Sequence, residues 1–234
     1  MDYITLVLGG LWYAVFIVST VLHEAAHGLA AKKLGDPTAH RHGLVTVDPI
    51  PHIKRSPFGM VIVPIVSFVF NGWMLGWASA PYDPYWAQCN RKKAAWMSLA
   101  GPAANLGLLI IAGLLIRLGM QLGSFSAPES ITFTRITTAE PNTLANSAAI
   151  TVSIFFSLNL ILLVFNLIPL PPLDGSGVLM LFLSDRAAEK YQAALSQPGV
   201  RVMGLVGAWY LIGVLLPPMQ GLALMILYPG LVYR

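Results

Sequence analysis

The feature that most limits how this chain can fold is the length of its uncharged stretches. From Ile4 to Leu22 there is no Asp, Glu, Lys, Arg or His, and the apolar run continues to Ala31 before Lys32 and Lys33 close it. At about 1.5 Å of rise per residue, such a run as a helix crosses a hydrocarbon core of about 30 Å. Four more apolar runs follow, at Pro57 to Ala80, Ala94 to Leu122, Ser147 to Leu170 and Val200 to Val232. The last contains Pro217 and Pro218, so it is expected to be one kinked span or a span followed by an interfacial piece. Charged residues make up 10% of the chain and hydrophobic ones 56%, whereas a soluble domain carries about 25% charge. The expected fold is an all-α polytopic membrane protein of about five to six hydrophobic segments, forming a single domain over residues 1–234. No basic residue precedes the first run and no small-residue cleavage signal ends it. It is therefore expected to stay as a transmembrane helix.

The distribution of basic residues gives an orientation. Lys32 to Ser56 holds five Lys and Arg, and the segment around Asp185 holds Arg186, Lys190 and Arg201, while Gly123 to Asn146 offers only Arg135 beside Glu129 and Glu140. The first two segments are expected on the cytoplasmic side and the last on the other. Arg91-Lys92-Lys93 would then lie outside if Pro57 to Ala80 crossed once. Pro64, Asn71, Gly72 and Gly76 inside that run let the backbone bend and return, so a re-entrant or broken hairpin is expected there. The alternating run Leu44-Val45-Thr46-Val47 after the first helix predicts a short β element. Gly72-x-x-x-Gly76 reads as a close helix contact.

The net charge of +4 comes from 14 Lys and Arg gathered between apolar runs. That is the pattern of membrane orientation, and no basic face with interleaved aromatics points to nucleic acid. A single cysteine, Cys89, excludes an internal disulfide and a multi-cysteine zinc ribbon.

Chemistry concentrates in the first apolar run. His23-Glu24-Ala25-Ala26-His27 puts two imidazoles one helical turn apart on one face, as two ligands of one metal require. Glu24 sits between them, where it can face a water at that metal. Ionisable groups at such depth cost several kcal/mol unless they line a functional cavity; the plain alternative is polar groups hydrogen-bonded between helices. A catalytic zinc site takes three protein ligands and keeps a position for water, so a third ligand must come from elsewhere. Asp174, in Asn166-Leu167-Ile168-Pro169-Leu170-Pro171-Pro172-Leu173-Asp174-Gly175, is the remaining acid in an apolar setting. Three prolines break the fourth run there and would present the carboxylate at the end of a span. An Asp-Gly turn is the plain alternative.

These two segments together resemble the site-2 protease family of intramembrane zinc metalloproteases, peptidase M50, whose signatures are a His-Glu-x-x-His helix and a distant Asn-x-x-Pro-x-Pro-x-Leu-Asp-Gly segment. Gly101-Pro102-Ala103-Ala104-Asn105 is similar to a Gly-Pro-x-x-Asn element of the family, and the stretch Leu44 to Pro64 with Gly76-Trp77 resembles its compact branch, without a PDZ or CBS module. The resemblance implies one zinc per chain held by His23, His27 and Asp174, with Glu24 as general base. It further implies that Asn166 contacts the substrate backbone or the transition state. The implied activity is hydrolysis of peptide bonds in membrane-anchored proteins near the cytoplasmic side of the bilayer. The expected setting is an integral multi-pass protein of a prokaryotic cell membrane, with lipid and a transmembrane substrate as partners and no nucleic acid. An extended substrate could pair with the strand expected at Leu44 to Val47.

A competing reading is a non-proteolytic membrane scaffold or a metal-binding or transport protein that keeps the fold, although a carrier needs ligands and no general base. His40, His42 and His52 could form a second metal or regulatory site, yet read more simply as solvated or interfacial side chains. Asn105 and Asn159, polar groups inside apolar helices, are expected to hydrogen-bond across an interface.

Overall fold

A computed structural model describes residues 3–195, 197, 199–231 and 233. Its regular structure is helical, with no strand among the described residues. Helix α1, Tyr3–Leu34, carries the first apolar run and ends on Lys32 and Lys33, where cations favour the negative end of the helix dipole. Two short helices follow, α2 at Thr38–Arg41 and α3 at Pro49–Arg55.

The segment between them corrects one expectation, because Leu44 to Val47 does not form a strand. Leu44 is buried and its N–H is taken by the Ala39 carbonyl at 3.0 Å. Thr46 Oγ1 accepts from the Asp48 N–H at 3.1 Å, and Asp48 caps α3 by accepting from the Ile50 N–H at 2.9 Å. Such side-chain bonds to nearby backbone compete with any sheet ladder.

Helix α4, Phe58–Asn71, opens with a π-helical turn at Phe58–Ile62 and meets α3 at a bend of 113°. It stops at Gly72, whose φ of 75° an L side chain rarely adopts. The chain then folds back along α4 without helix. The Trp77 N–H donates to the Gly59 carbonyl at 3.1 Å, and a Cβ on either Gly59 or Gly76 would collide with backbone of the returning or outgoing chain. Gly72 and Gly76 therefore serve a helix stop and a backbone-to-backbone contact, not the helix–helix contact their spacing suggests.

After α5, Pro84–Cys89, come the two long helices α6, Arg91–Gln121, and α7, Leu144–Asn166. Helix α6 lies against both α1 and α7. Phe16, Phe68, Ile154 and Leu158 fill one core cluster, and Leu109, Ile116, Phe156 and Leu224 fill another. The connection between α6 and α7 is pinned at its far end, where Ser153 Oγ accepts from the Ile136 and Thr137 N–H groups at 3.0 and 3.1 Å. Short α8, Asp174–Val178, then α9, Asp185–Leu195, lead to α10, Val200–Leu227. Helix α10 runs on through Pro217 and Pro218 as one element, so no separate interfacial piece forms.

Among the described residues four helices, α1, α6, α7 and α10, are long and apolar enough to cross a membrane, or five spans if bent α3 and α4 count as one. Leu114, Val206, Met225 and Ile226 are among the large apolar side chains left on their outer faces. Exposed apolar rows on such helices suit lipid as solvent, and the chain is a multi-pass membrane protein.

Candidate metal centre

One turn of α1 brings His23 and His27 together, with their Nε2 atoms 3.0 Å apart and the rings edge to face. The third group arrives from the far end of the chain. Asp174 Oδ2 stands 3.1 Å from His23 Nε2 and 3.3 Å from His27 Nε2. Among the described residues this is the group of three His, Cys, Asp or Glu side chains that could hold a metal ion.

The sequence builds Asp174 into place by breaking α7. After Asn166 the prolines permit only tight local bonds, Leu170 N–H to the Ile168 carbonyl at 2.8 Å and Leu173 N–H to the Leu170 carbonyl at 3.0 Å. Gly175 then packs so closely on the carbonyls of Leu167 and Ile168 that a Cβ there would collide with both. Asp174 occupies the first turn of α8, where a carboxylate suits the helix dipole, yet its side chain points to the histidines and does not cap the helix.

Three observations test whether these residues suit a metal. The His27 Nδ1–H donates to the Met97 carbonyl at 2.7 Å, and since a carbonyl can only accept, the neutral ring turns a bare lone pair at Nε2 towards Asp174. Asp174 Oδ2 is buried, and no hydrogen bond ends on it. Converging lone pairs repel one another unless a cation sits between them. The contacts of 3.0, 3.1 and 3.3 Å are close to the edge of about 3.3 Å that a tetrahedron with zinc bonds of about 2.0–2.1 Å would have. Finally, Gly101 of α6 faces the pair directly. A Cβ there would collide with Nε2 of both histidines, so glycine keeps the ligand atoms uncovered.

Glu24, buried at 7% exposure, reaches a cavity of about 820 Å³ that His27 and Asp174 also line. Ala78 to Tyr82, Met97 and Arg91 form other parts of its wall. The non-helical wall is held from behind at every second residue. Leu75 N–H donates to Ser67 Oγ at 2.8 Å, Trp77 N–H to Gly59, and the Ser79 carbonyl accepts from Arg55 Nε at 3.0 Å. Its far end is tied to the end of α1, where Asp36 Oδ2 accepts from the Asp83 N–H at 2.8 Å. Burial pushes the Asp36 carboxyl up. The Thr38 hydroxyl, the amides of Asp83 and Thr38, and Arg41 outweigh it and hold the group below the usual carboxylate range.

Not every residue singled out in the sequence meets here. Asn166 closes α7, half-buried, and is not part of the cavity wall. His52 is buried in α3 with Nε2 on the Thr46 carbonyl at 3.1 Å, and His40 lies 3.1 Å from Lys32 Nζ, so neither joins a metal group. In the sequence Asn105 and Asn159 stand out as interface polars, and Gly101 and Asn105 as the two ends of a Gly-Pro-x-x-Asn likeness. Asn105 Oδ1 in fact lies 2.6 Å from His23 Nδ1. Its signal was an amide placed one helical turn past a Gly-Pro pair within an apolar run.

Comparison with known proteins gives the relatives of this chain. A protein of Bacillus subtilis (strain 168) described as "Putative zinc metalloprotease YwhC" is 35% identical over 169 residues, 70% of this chain and 64% of the relative. "Putative zinc metalloprotease Rip2" of Mycolicibacterium smegmatis (strain ATCC 700084 / mc(2)155) is 25% identical over 166 residues, 71% of this chain and 54% of the relative. The chain thus matches less than two thirds of the length of either. No solved structure matches it significantly. The description of Peptidase family M50 fits residues 12–207, which include the whole His23–Asp174 cluster, and the chain belongs to that family.

Proposed function

We propose that the chain is a zinc endopeptidase of the prokaryotic cell membrane that cuts membrane-anchored proteins near the cytoplasmic face. His23, His27 and Asp174 hold one zinc ion, and Glu24 is the general base. The observation that carries this reading is the convergence of three ligand atoms on one point beside a carboxylate that faces a cavity. The names of the two relatives support the metal and the reaction class.

Zinc held there supplies Lewis acidity, polarising the scissile carbonyl and making a water nucleophilic near neutral pH. The residues of the chain do the rest. Glu24 takes the proton of the attacking water on a carboxylate oxygen and passes it to the leaving amine as the C–N bond breaks. Among the described residues no hydrogen bond holds the Glu24 carboxylate, so it is free to exchange that proton. The scissile bond must lie along an unwound stretch, because a helix hides its carbonyls. Residues 78–82, not 44–47, offer the wall for such a stretch. The amides of Ala78, between the anchored positions 77 and 79, and of Ala80, just beyond them, make no bond to the described protein and can meet a substrate backbone. Helix α4 and the returning segment 73–83 then form a re-entrant hairpin, which leaves Arg91-Lys92-Lys93 on the cytoplasmic side with Lys32 and Lys33. The substrate contact of Asn166, at the end of α7 and outside the cavity wall, rests on the family likeness alone.

The test is Glu24→Gln in purified protein reconstituted with a membrane-anchored reporter. Cleavage is expected to fall by about 100-fold or more while zinc stays near one per chain. Unchanged cleavage removes Glu24 from the mechanism, and a wild-type protein that binds no zinc overturns the whole reading.

A further inference from the structure

Behind His23 runs a chain of side chains that the reaction itself does not use. His23 Nδ1 lies 2.6 Å from Asn105 Oδ1 on α6. Asn105 Nδ2 donates to Asn159 Oδ1 on α7 at 2.9 Å. Asn159 Nδ2 donates to the Phe155 carbonyl at 2.9 Å and to Ser19 Oγ, back on α1, at 3.0 Å. Ser19, Asn105 and Asn159 are all fully buried.

The direction of this chain follows from its last link. A backbone carbonyl accepts and never donates, so Phe155 fixes the Asn159 amide with nitrogen towards itself and oxygen towards Asn105. Asn159 oxygen in turn requires the Asn105 nitrogen, which leaves Asn105 oxygen facing His23. An acceptor there requires the proton of the neutral ring at Nδ1. Nε2 is then bare, turned to the same point as His27 Nε2 and Asp174 Oδ2.

We infer that Asn105 and Asn159 are positioning residues that lock His23 as the Nδ1–H tautomer, so that three helices hold the ligand lone pair aimed before any metal arrives. His27 obtains the same lock in one step from the Met97 carbonyl. His23 cannot, since the nearest group on α6 is an amide that could face either way. Asn159 removes that ambiguity. Partners of this kind commonly set metal affinity by about 10–100-fold. The inference rests on the zinc reading for its consequence, while the tautomer itself exists without metal.

The experiment measures full-length protein in nanodiscs by two routes. In metal-free wild type, the 15N signals of His23 are expected to show a protonated Nδ1; a bare Nδ1 overturns the lock whether or not zinc binds. For affinity, Zn²⁺ is titrated against a competing chelator, with the melting temperature of the metal-free protein recorded beside it. Asn105→Leu should weaken zinc about 10–100-fold, whereas Asn105→Asp, which still accepts from Nδ1–H, should recover most of that. A merely structural role predicts the opposite order, because a buried Asp harms an apolar helix interface more than Leu does. Asn159→Leu should weaken zinc in the native background but not beside Asn105→Asp, since a carboxylate has two equivalent oxygens and needs no orientation. Equal zinc affinity for Asn105→Leu and wild type, or losses that track the metal-free melting temperature, would overturn the inference. If wild type binds no zinc, the functional reading fails and the 15N result alone decides the lock.

Discussion

The metal cluster and the cavity wall beside it are built by opposite means. Around His23 and His27 the neighbours lie on long helices, and Asn105, Asn159 and Ser19 are wholly buried with every bond directed. The wall from residue 73 to residue 83 has no regular structure and is half exposed along much of its length. It is tied at Leu75, Trp77, Ser79 and Asp83 by bonds to elements behind it. Ligands must keep their geometry to within a few tenths of an ångström, which packed helices provide. A surface that receives a peptide backbone needs unpaired amides, which regular structure would consume. The comparison predicts that damage to the first region abolishes metal binding while damage to the second changes how substrate is held.

The largest effect should come from Gly101→Ala. Alanine favours a helix interior over glycine by about 1 kcal/mol, so α6 itself has nothing to lose. The added Cβ, however, would occupy the space of both Nε2 atoms. Zinc content of the purified protein, measured by mass spectrometry, is expected to fall about tenfold or more, with cleavage lost in proportion. Full zinc occupancy in this variant would mean that the rings can retreat, and the rigidity assigned to the cluster would be wrong.

That contrast also explains what the sequence disclosed. His23 and His27 were legible because helical spacing alone puts them on one face, and Asp174 because Pro169, Pro171 and Pro172 fall within four residues and leave too few backbone donors to continue α7. Gly101 was not legible as a ligand neighbour, since its role depends on where α6 crosses α1. Asn105 and Asn159 carried a polar signal without a direction, which comes from the Phe155 carbonyl. In the wall, local pattern misled. Leu44 to Val47 alternates like a strand, but Thr46 and Asp48 turn their side chains onto the backbone, and the segment that lines the cavity is instead the low-periodicity stretch Ala78 to Tyr82. Pro217 and Pro218 left open either a single kinked span or a break, and α10 is a single helix, because apolar surroundings tolerate prolines in a membrane helix.

A middle-sized effect is expected at Asp36, which joins the end of α1 to the wall. Its carboxylate accepts from the Thr38 N–H, the Thr38 hydroxyl and the Asp83 N–H. Asp36→Asn removes part of that set and should cost about 1–2 kcal/mol of local stability. Because the folded carboxyl lies below its ordinary range, the anchor is complete above about pH 4 and fades as pH falls through the lower folded value. Hydrogen exchange over residues 73–90 should therefore speed up on acidification in wild type and stay nearly flat in Asp36→Asn, with α6 and α7 protected in both. Loss of protection in α6 along with the wall would show the two regions to be one cooperative unit.

The smallest effect, and the sharpest separation, is expected at Arg55. Its Nε donates to the Ser79 carbonyl from an exposed position, so water replaces much of what the bond contributes. Arg55→Gln shortens the reach and frees the middle of the wall without touching α1 or α6. If residues 78–82 seat the substrate backbone, KM should rise about twofold to fivefold with kcat and zinc content unchanged, the pattern of lost ground-state binding. A fall in kcat at constant KM would instead tie Ser79 to the reacting centre. The wall would then share the precision of the metal cluster, and the division of labour between packed helices and tethered backbone would have to be given up.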